Sequence, residues 1–344
     1  MAHEISARSR LRLSLLALAV LLACVILASF LIGRYPVPPH VALAVMASKL
    51  VHIDPFWRPE LEAVILKIRL PRIVAAAGIG AALSVSGAAY QGMFRNPLVS
   101  PDILGVSAGA GFGAALGILL GWPAASIQTA AFGFGLLAVA AAYLIASWGG
   151  EGEDSTLAIV LAGVVTGSVF TSLISLLKFA ADPTNVLPAI TFWLMGSLAS
   201  VSARDLYFAA WPICVGMATL FLFRWKLNVL SFGGEEARAL GVNVQQTRLT
   251  IIASATLITA AGVAIAGIIG LIGLVVPYLA RLLVGPNHAF VLPASMLLGA
   301  AYLLAADDLA RSLLAAEIPL GILTSLTGAP FFLYLLLNTR KAWR

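Results

Sequence analysis

Ser231-Phe-Gly-Gly-Glu-Glu-Ala-Arg-Ala-Leu-Gly241 is a short charged stretch in a chain that is otherwise almost entirely apolar. Gly233 and Gly234 precede its core and Gly241 closes it, so the pattern predicts a short helix that starts and stops abruptly. Glu235 and Glu236 fall at its start, where the helix dipole favours acidic groups, and Arg238 lies further along. Long apolar runs flank the stretch on both sides, which puts it in water at one membrane face. A charged finger between two spans suits a grip for a protein partner. An ordinary amphipathic connector is the plainer reading of the same residues.

Composition agrees with the membrane setting. Of 344 residues, 61% are hydrophobic and 10% charged, with a mean hydropathy of +1.00. Soluble domains carry about 25% charged residues, so the chain reads as a polytopic integral membrane protein. The net charge of +6 comes from Lys and Arg scattered over loops, without a basic stripe or an aromatic platform. Lipid headgroups account for it, and nucleic-acid binding has no support. Cys24 and Cys214 both sit in apolar runs and build neither a disulfide framework nor a metal cage. Near the start, Arg8, Arg10 and Arg12 precede an apolar run, and Leu21-Leu-Ala-Cys24 has the look of a lipoprotein cleavage box. The run continues past Cys24 to the ~20 residues needed to span, beyond the roughly 7–15 of a signal-peptide core. The expectation is a retained first helix.

Apolar runs fall at about 13–33, 70–92, 103–121, 124–148, 156–178, 205–223, 248–269, 271–285, 289–306 and 320–338. The expected fold is therefore all-α, with ten transmembrane helices in one domain over 1–344. The run at 271–285 is short and carries Pro277 and Gly285, so it reads as a broken helix; a partial apolar piece at 187–199 is expected to pack at the outer face. Ten spans put both termini on the side of the 224–247 loop. Arg8, Arg10, Arg12, Arg95, Arg224, Lys226, Arg238, Arg248, Arg281, Arg340, Lys341 and Arg344 lie on that side, 12 of the 21 basic residues, which makes it cytoplasmic. Arg72, Gly87 and Pro101 can be laid over Arg248, Gly262 and Pro277. That match suggests two related halves, about 1–200 and 201–344, with five spans each and the second inverted. Gly105, Gly109, Gly113, Gly117 and Gly121 recur every fourth residue, as do Ala76, Gly80, Ser84 and Ala88, and both rows are expected to let helices approach closely.

Several chemistries are missing. None of the five lysines follows a glycine, so there is no phosphate-binding Gly-x4-Gly-Lys loop and no ATP hydrolysis by this chain alone. His3, His40, His52 and His288 fall in expected loops or tails with no His-x3-His pair, and no serine nucleophile stands out, which argues against an intramembrane enzyme. Lys178, Asp182, Asp307, Asp308 and Arg311 are expected at solvated span ends. With no mid-membrane charge, an ion-coupled secondary carrier or channel lacks its relay, and energy must come from outside.

The motifs then agree in order: Arg69-Leu-Pro-Arg72, Gly87-Ala-Ala-Tyr-Gln-Gly-Met-Phe-Arg-Asn-Pro-Leu98, Asp102-Ile-Leu-Gly-Val-Ser-Ala-Gly-Ala-Gly111, Phe192-Trp-Leu-Met-Gly-Ser197, the 231–241 helix, Gly270-Leu-Ile-Gly-Leu-Val-Val-Pro277, and Leu320-Gly-Ile-Leu-Thr-Ser-Leu-Thr-Gly-Ala-Pro-Phe331. From about 60 to 338 the chain resembles the FecCD family, permeases of type II ABC importers for ferric siderophores, haem and cobalamin. The resemblance implies a permease homodimer in a bacterial inner membrane, or a pair of related permeases, with the path on the dimer axis. Two cytoplasmic ATPases, which hold the ATP and Mg, would bind below, and a periplasmic binding protein above; the permease itself would bind no cofactor and no metal.

Carried onto this sequence, the resemblance makes Gly233, Gly234, Glu235, Glu236, Ala237, Arg238, Ala239, Leu240 and Gly241 the ATPase-coupling helix. It makes Arg69, Arg72 and Arg311 acceptors for acidic residues of the binding protein, with lipid-headgroup anchoring as the plainer reading. Asn96, Leu98, Ser155 and Thr156 would narrow the path, although Ser155 after Asp154 also reads as a helix cap. The chain departs little from the family's pattern, and the acidic cytoplasmic loop Glu151-Gly-Glu-Asp154 reads as a feature of its own subgroup. A Ser, Thr and Asn lining, with only His40 and His52 as outward histidines, favours a ferric siderophore over haem or cobalamin. A small oxyanion such as molybdate, which some relatives carry, needs no wide path.

Overall fold

Helices make up every regular element among the residues that the computed structural model describes, 2–148 and 155–338. In chain order they are α1 (Ala2–Leu31), α2 (Pro39–Ala47), α3 (Pro59–Ala63), α4 (Leu70–Phe94), α5 (Val106–Leu119), α6 (Ala124–Trp148), α7 (Ser155–Ala180) and α8 (Val186–Leu194). There follow α9 (Ala203–Leu222), α10 (Arg224–Leu230), α11 (Gly234–Ala239), α12 (Val244–Ala266), α13 (Ile272–Val284), α14 (His288–Ser312) and α15 (Leu320–Asn338). Among the described residues, seven stretches are long and apolar enough to cross a membrane: Arg10–Leu31, Pro59–Phe94, Ala124–Trp148, Leu157–Ala180, Ala203–Leu222, Val244–Ala266 and His288–Ser312. Val106–Leu119, Ile272–Val284 and Leu320–Tyr334 are apolar but shorter.

Two helices form the centre. In the apolar window of α4, 83% of residues are buried, and in that of α12, 72%, against 17% for α1, which lies at the edge. Small residues let the central helices touch. A Cβ on Gly80 would strike the backbone of Gly299 in α14, and one on Gly87 the backbone of Gly273 in α13. Hydrogen bonds then fasten α4 to its neighbours, as suits an apolar surround where any polar group needs a partner. Thr259 donates to Ser86 at 2.9 Å, Ser86 to the carbonyl of Ala255 at 3.1 Å, and Gln91 to the carbonyl of Leu274 at 3.1 Å. Arg281 on α13 in turn donates to Gln91 Oε1 at 2.6 Å.

The structure corrects several boundaries. The span expected over 103–121 is the 14-residue α5, preceded by a 3-10 turn at Pro101–Leu104 and by Gly105 with φ 81°. The glycine row therefore divides. Gly109 and Gly113 press on Phe134 and Ala130 of α6, whereas Gly105 and Gly121 stand outside the helix. The short helix after 270 is continuous through Pro277, and the break lies before it, where Gly267 and Leu271 take left-handed φ of 71° and 66°. Neighbouring backbone ties that segment down: Ser197 N–H donates to the carbonyl of Ala266 at 2.8 Å. The helix expected from residue 70 begins at Pro59 and runs through a wider π turn at Val64–Arg69. Arg340, Lys341, Arg344 and the 151–154 loop lie outside the described residues, as do the side chains of His3, Arg8, Ser155 and Thr156.

Candidate functional site

The 231–241 stretch folds as read. Gly233, with φ 139°, and Gly241, with φ 79°, bracket α11. Only glycine adopts such angles at little cost, which is why the helix can begin and end within one turn of its neighbours. Ala237 is fully buried and joins the apolar core beside Leu230, Val242 and Val244, while Glu235, Glu236, Arg238, Ala239 and Leu240 face out. Phe232 and Leu240 are also exposed, so the surface is charged with an apolar margin.

A junction that the sequence did not announce holds the preceding helix. Asn228 on α10 accepts the His288 backbone N–H at 2.8 Å and faces His288 Nδ1 at 2.9 Å through the same Oδ1. Its amide donates to Asn287 Oδ1 at 2.9 Å. The pair thus caps α14 and clamps α10 to it. His288 is buried, not the loop residue expected, and its Nε2 lies without a hydrogen-bond partner against Gly92, where a Cβ would collide with the ring.

At the opposite end of α14 lies a buried ionic cluster. Arg72 grips Asp307 with Nε and Nη2 at 2.8 and 2.9 Å, and Glu317 with Nη1 and Nη2 at 3.1 and 2.9 Å. Arg311 pairs with Asp308 and donates to the Ser29 carbonyl at 2.8 Å; the Ser29 hydroxyl donates to Asp308. Arg69 donates to the carbonyls of Phe30 and Tyr35. Asp307 is wholly buried, and Asp308 and Arg311 are 6% exposed, so these are not the solvated span ends expected. Arg69 and Arg72 are likewise 3% and 7% exposed. All three arginines are spent on groups of their own chain, and the open surface expected of docking arginines is not what they present.

The candidate path residues separate. Asn96 and Leu98 are exposed beside Arg95, which takes a left-handed φ of 51°, and Asn96 Oδ1 accepts the Leu98 N–H at 2.9 Å. The side chains of Ser155 and Thr156 lie outside the described residues, so the structure does not join them to Leu98. What it does assemble is a groove of about 510 Å³ along α7. Gly163 and Gly167 admit the backbone of Ile103, Leu104 and Gly105 against that helix, and Asp102, Ser107, Ser168, Thr171 and Ser172 supply its polar lining. A second groove of about 510 Å³ shares Val164, Ser168 and Ser172 and extends to Leu176.

The hydroxyls of this face are already committed as donors. Ser168 donates to the Val164 carbonyl at 2.8 Å, Thr171 to that of Gly167 at 2.8 Å, and Ser172 to that of Ser168 at 3.0 Å. Ser107 donates to Asp102. Oxygen lone pairs are what remains for the groove. By contrast, a groove of about 540 Å³ bounded by Leu136, Val139, Tyr143, Val215 and Leu257 is almost wholly apolar and suits acyl chains. The hydroxyls at 168, 171, 172 and 175, three or four apart, were legible as one helix face; Asp102 stands just before the apolar run at 103–121 and reads there only as a loop residue, since nothing in the sequence sets it against α7.

A bundle of apolar helices with a cleft at membrane depth and an exposed finger between spans defines a multi-pass membrane permease. The chain belongs to the FecCD transport family, whose model matches residues 20–338. It is 41% identical over 322 residues to the molybdate import system permease of Haemophilus influenzae, covering 92% of this chain and 93% of that protein. It is 44% identical over 285 residues to the cobalamin import system permease of Halobacterium salinarum, covering 82% and 75%. A solved structure described as an inward-facing metal-chelate type ABC transporter superposes with a TM-score of 0.84 at 39% identity, covering 94% of this chain and 98% of that one.

Proposed function

We propose that this chain is the permease subunit of an ATP-driven importer that carries a metal chelate, a ferric siderophore, from periplasm to cytoplasm across a bacterial inner membrane. In this reading the seven long and three short apolar helices make ten crossings in two inverted halves, with both termini cytoplasmic. Two copies enclose the path, two ATPase subunits supply ATP and Mg below, and a periplasmic protein delivers the cargo. The observation that carries the reading is α11: a glycine-bounded helix, anchored by Ala237 and exposing Glu235, Glu236 and Arg238 between two spans.

Replacing Glu235, Glu236 and Arg238 together by Ala tests it in vesicles holding the permease, the ATPase and the binding protein. Insertion and dimer size are expected to persist, while uptake and permease-stimulated ATP hydrolysis fall together. Unchanged uptake would remove α11 from coupling. The relatives that by name import molybdate and cobalamin support a second reading of the cargo, and haem is a third. The ligand bound by the cognate periplasmic protein decides: cobalamin, haem or molybdate bound tightly, with ferric chelates ignored, would displace the siderophore and leave the importer standing.

A further inference from the structure

Asp102 has no part in the reading above, yet its place in the fold is unusual. The α7 span begins at Leu157, and Gly163 to Ser172 follow six to fifteen residues later, about 9–22 Å along the helix at 1.5 Å per residue. That is well inside a hydrocarbon core about 30 Å thick. Gly163 touches the backbone of Ile103 and Leu104, and Gly167 that of Gly105, so the turn carrying Asp102 lies at the shallow end of this range, near the level of Gly163. Irregular backbone survives there only when it is buried in protein or borders a water-filled cavity. Asp102 meanwhile keeps accessible surface and is the one charged residue among the groove's lining. A carboxylate turned to lipid is costly, and ionisable groups at membrane depth mark pathways.

We propose that Asp102 is a charge-selecting residue of the translocation groove, favouring cationic and donor-rich groups over anionic ones. The proposal rests on the importer reading for its cargo. Its chemistry follows from the donor inventory: the hydroxyls of Ser107, Ser168, Thr171 and Ser172 have spent their protons inside the protein. Those hydroxyls therefore present acceptors to the groove, beside the Asp102 carboxyl. A cationic or amide-bearing chelate surface finds partners in these oxygens. In a cleft with low-dielectric walls the single charge acts more strongly than it would in water.

The test is a charge-selective thiol probe on the full-length permease in native membranes, with Cys24 and Cys214 replaced by Ser and Ser168→Cys introduced. Cationic and anionic methanethiosulfonates are compared, each normalised to its rate with a free thiol. The cationic reagent is expected to be favoured by about 10-fold or more, as one opposite charge a few ångströms away predicts. Asp102→Asn, which keeps the bond from Ser107, is expected to abolish the preference, and Asp102→Glu to retain it. A residue at 168 that reacts with neither reagent, or a preference unchanged in Asp102→Asn, would overturn the proposal. The readout needs neither ATP nor uptake. Failure of chelate transport with the charge preference intact would thus strike the importer reading and leave the groove's selectivity in place.

Discussion

Arg72 turns all three of its guanidinium nitrogens onto two carboxylates, and that makes it the residue whose removal has the clearest sign. Arg72→Met leaves Asp307, wholly buried, without its principal partner. Breaking one side of a buried pair costs about 3–5 kcal/mol, because a desolvated charge stays behind. Adding Asp307→Leu removes that charge, while the Glu317 side chain, 28% exposed, can turn to water, so the double variant is expected to recover most of the loss. Thermal unfolding in detergent measures both, and equal midpoints for the single and double variants would show that the pair is not coupled. None of this was legible from sequence. Arg72 reads there as the start of one span and Asp307 as the end of another, 235 residues away; only the packing of α14 on α4 brings them together.

Among the elements, α4 and α14 depend on contact between bare backbones. Gly80→Ala places a Cβ into the Gly299 carbonyl and is expected to destabilise by about 1–3 kcal/mol, the usual cost of overpacking. Gly78 on the same helix has open space beside it, so Gly78→Ala is expected to stabilise by about 0.5–1 kcal/mol through backbone entropy. Opposite shifts of the unfolding midpoint bear this out; shifts of one sign would refute it. The row Ala76, Gly80, Ser84 and Ala88 was readable because small residues four apart on a helix face are a pattern in themselves. The ends of α5 and α13 were not, since an apolar run records only solubility in lipid. The segment from Gly267 to Leu271 is as apolar as the helix it precedes, and in Pro101–Leu104 only Asp102 interrupts the apolar sequence, so the irregular backbone stays hidden until its φ angles are known. The junction at α10 makes a further prediction. Asn228→Ala strips the caps from Asn287 and His288, and is expected to leave the ATPase bound and turning over while transport per ATP falls several-fold. Asn228→Asp, which still accepts both His288 bonds, should restore most of it. A parallel loss of ATPase binding would instead mark Asn228 as part of the docking surface.

For the whole molecule, the decisive question is what covers the outward face of α7. Leu161, Val165, Val169 and Leu176 would suit lipid, but Ser168, Thr171 and Ser172 interrupt them, and Asp102 lies beneath at membrane depth. A face that is half apolar and half acceptor-lined suits a second copy that closes part of it and leaves the polar strip wet. Leu98 is 49% exposed, in the connection that leads into the same irregular turn. In the proposed dimer, with this groove at its centre, the two copies of residue 98 would approach as the inner end closes and separate as it opens. With Cys24 and Cys214 replaced, Leu98→Cys is therefore expected to crosslink between subunits, with a yield that differs between nucleotide-free and ATP-trapped transporter. A constant yield in both states would take Leu98 out of the gate but leave the dimer. No crosslink at 98, together with a monomer by mass in detergent and in nanodiscs, would remove the second copy itself, and with it the account of why α7 carries hydroxyls on a face turned away from its own bundle.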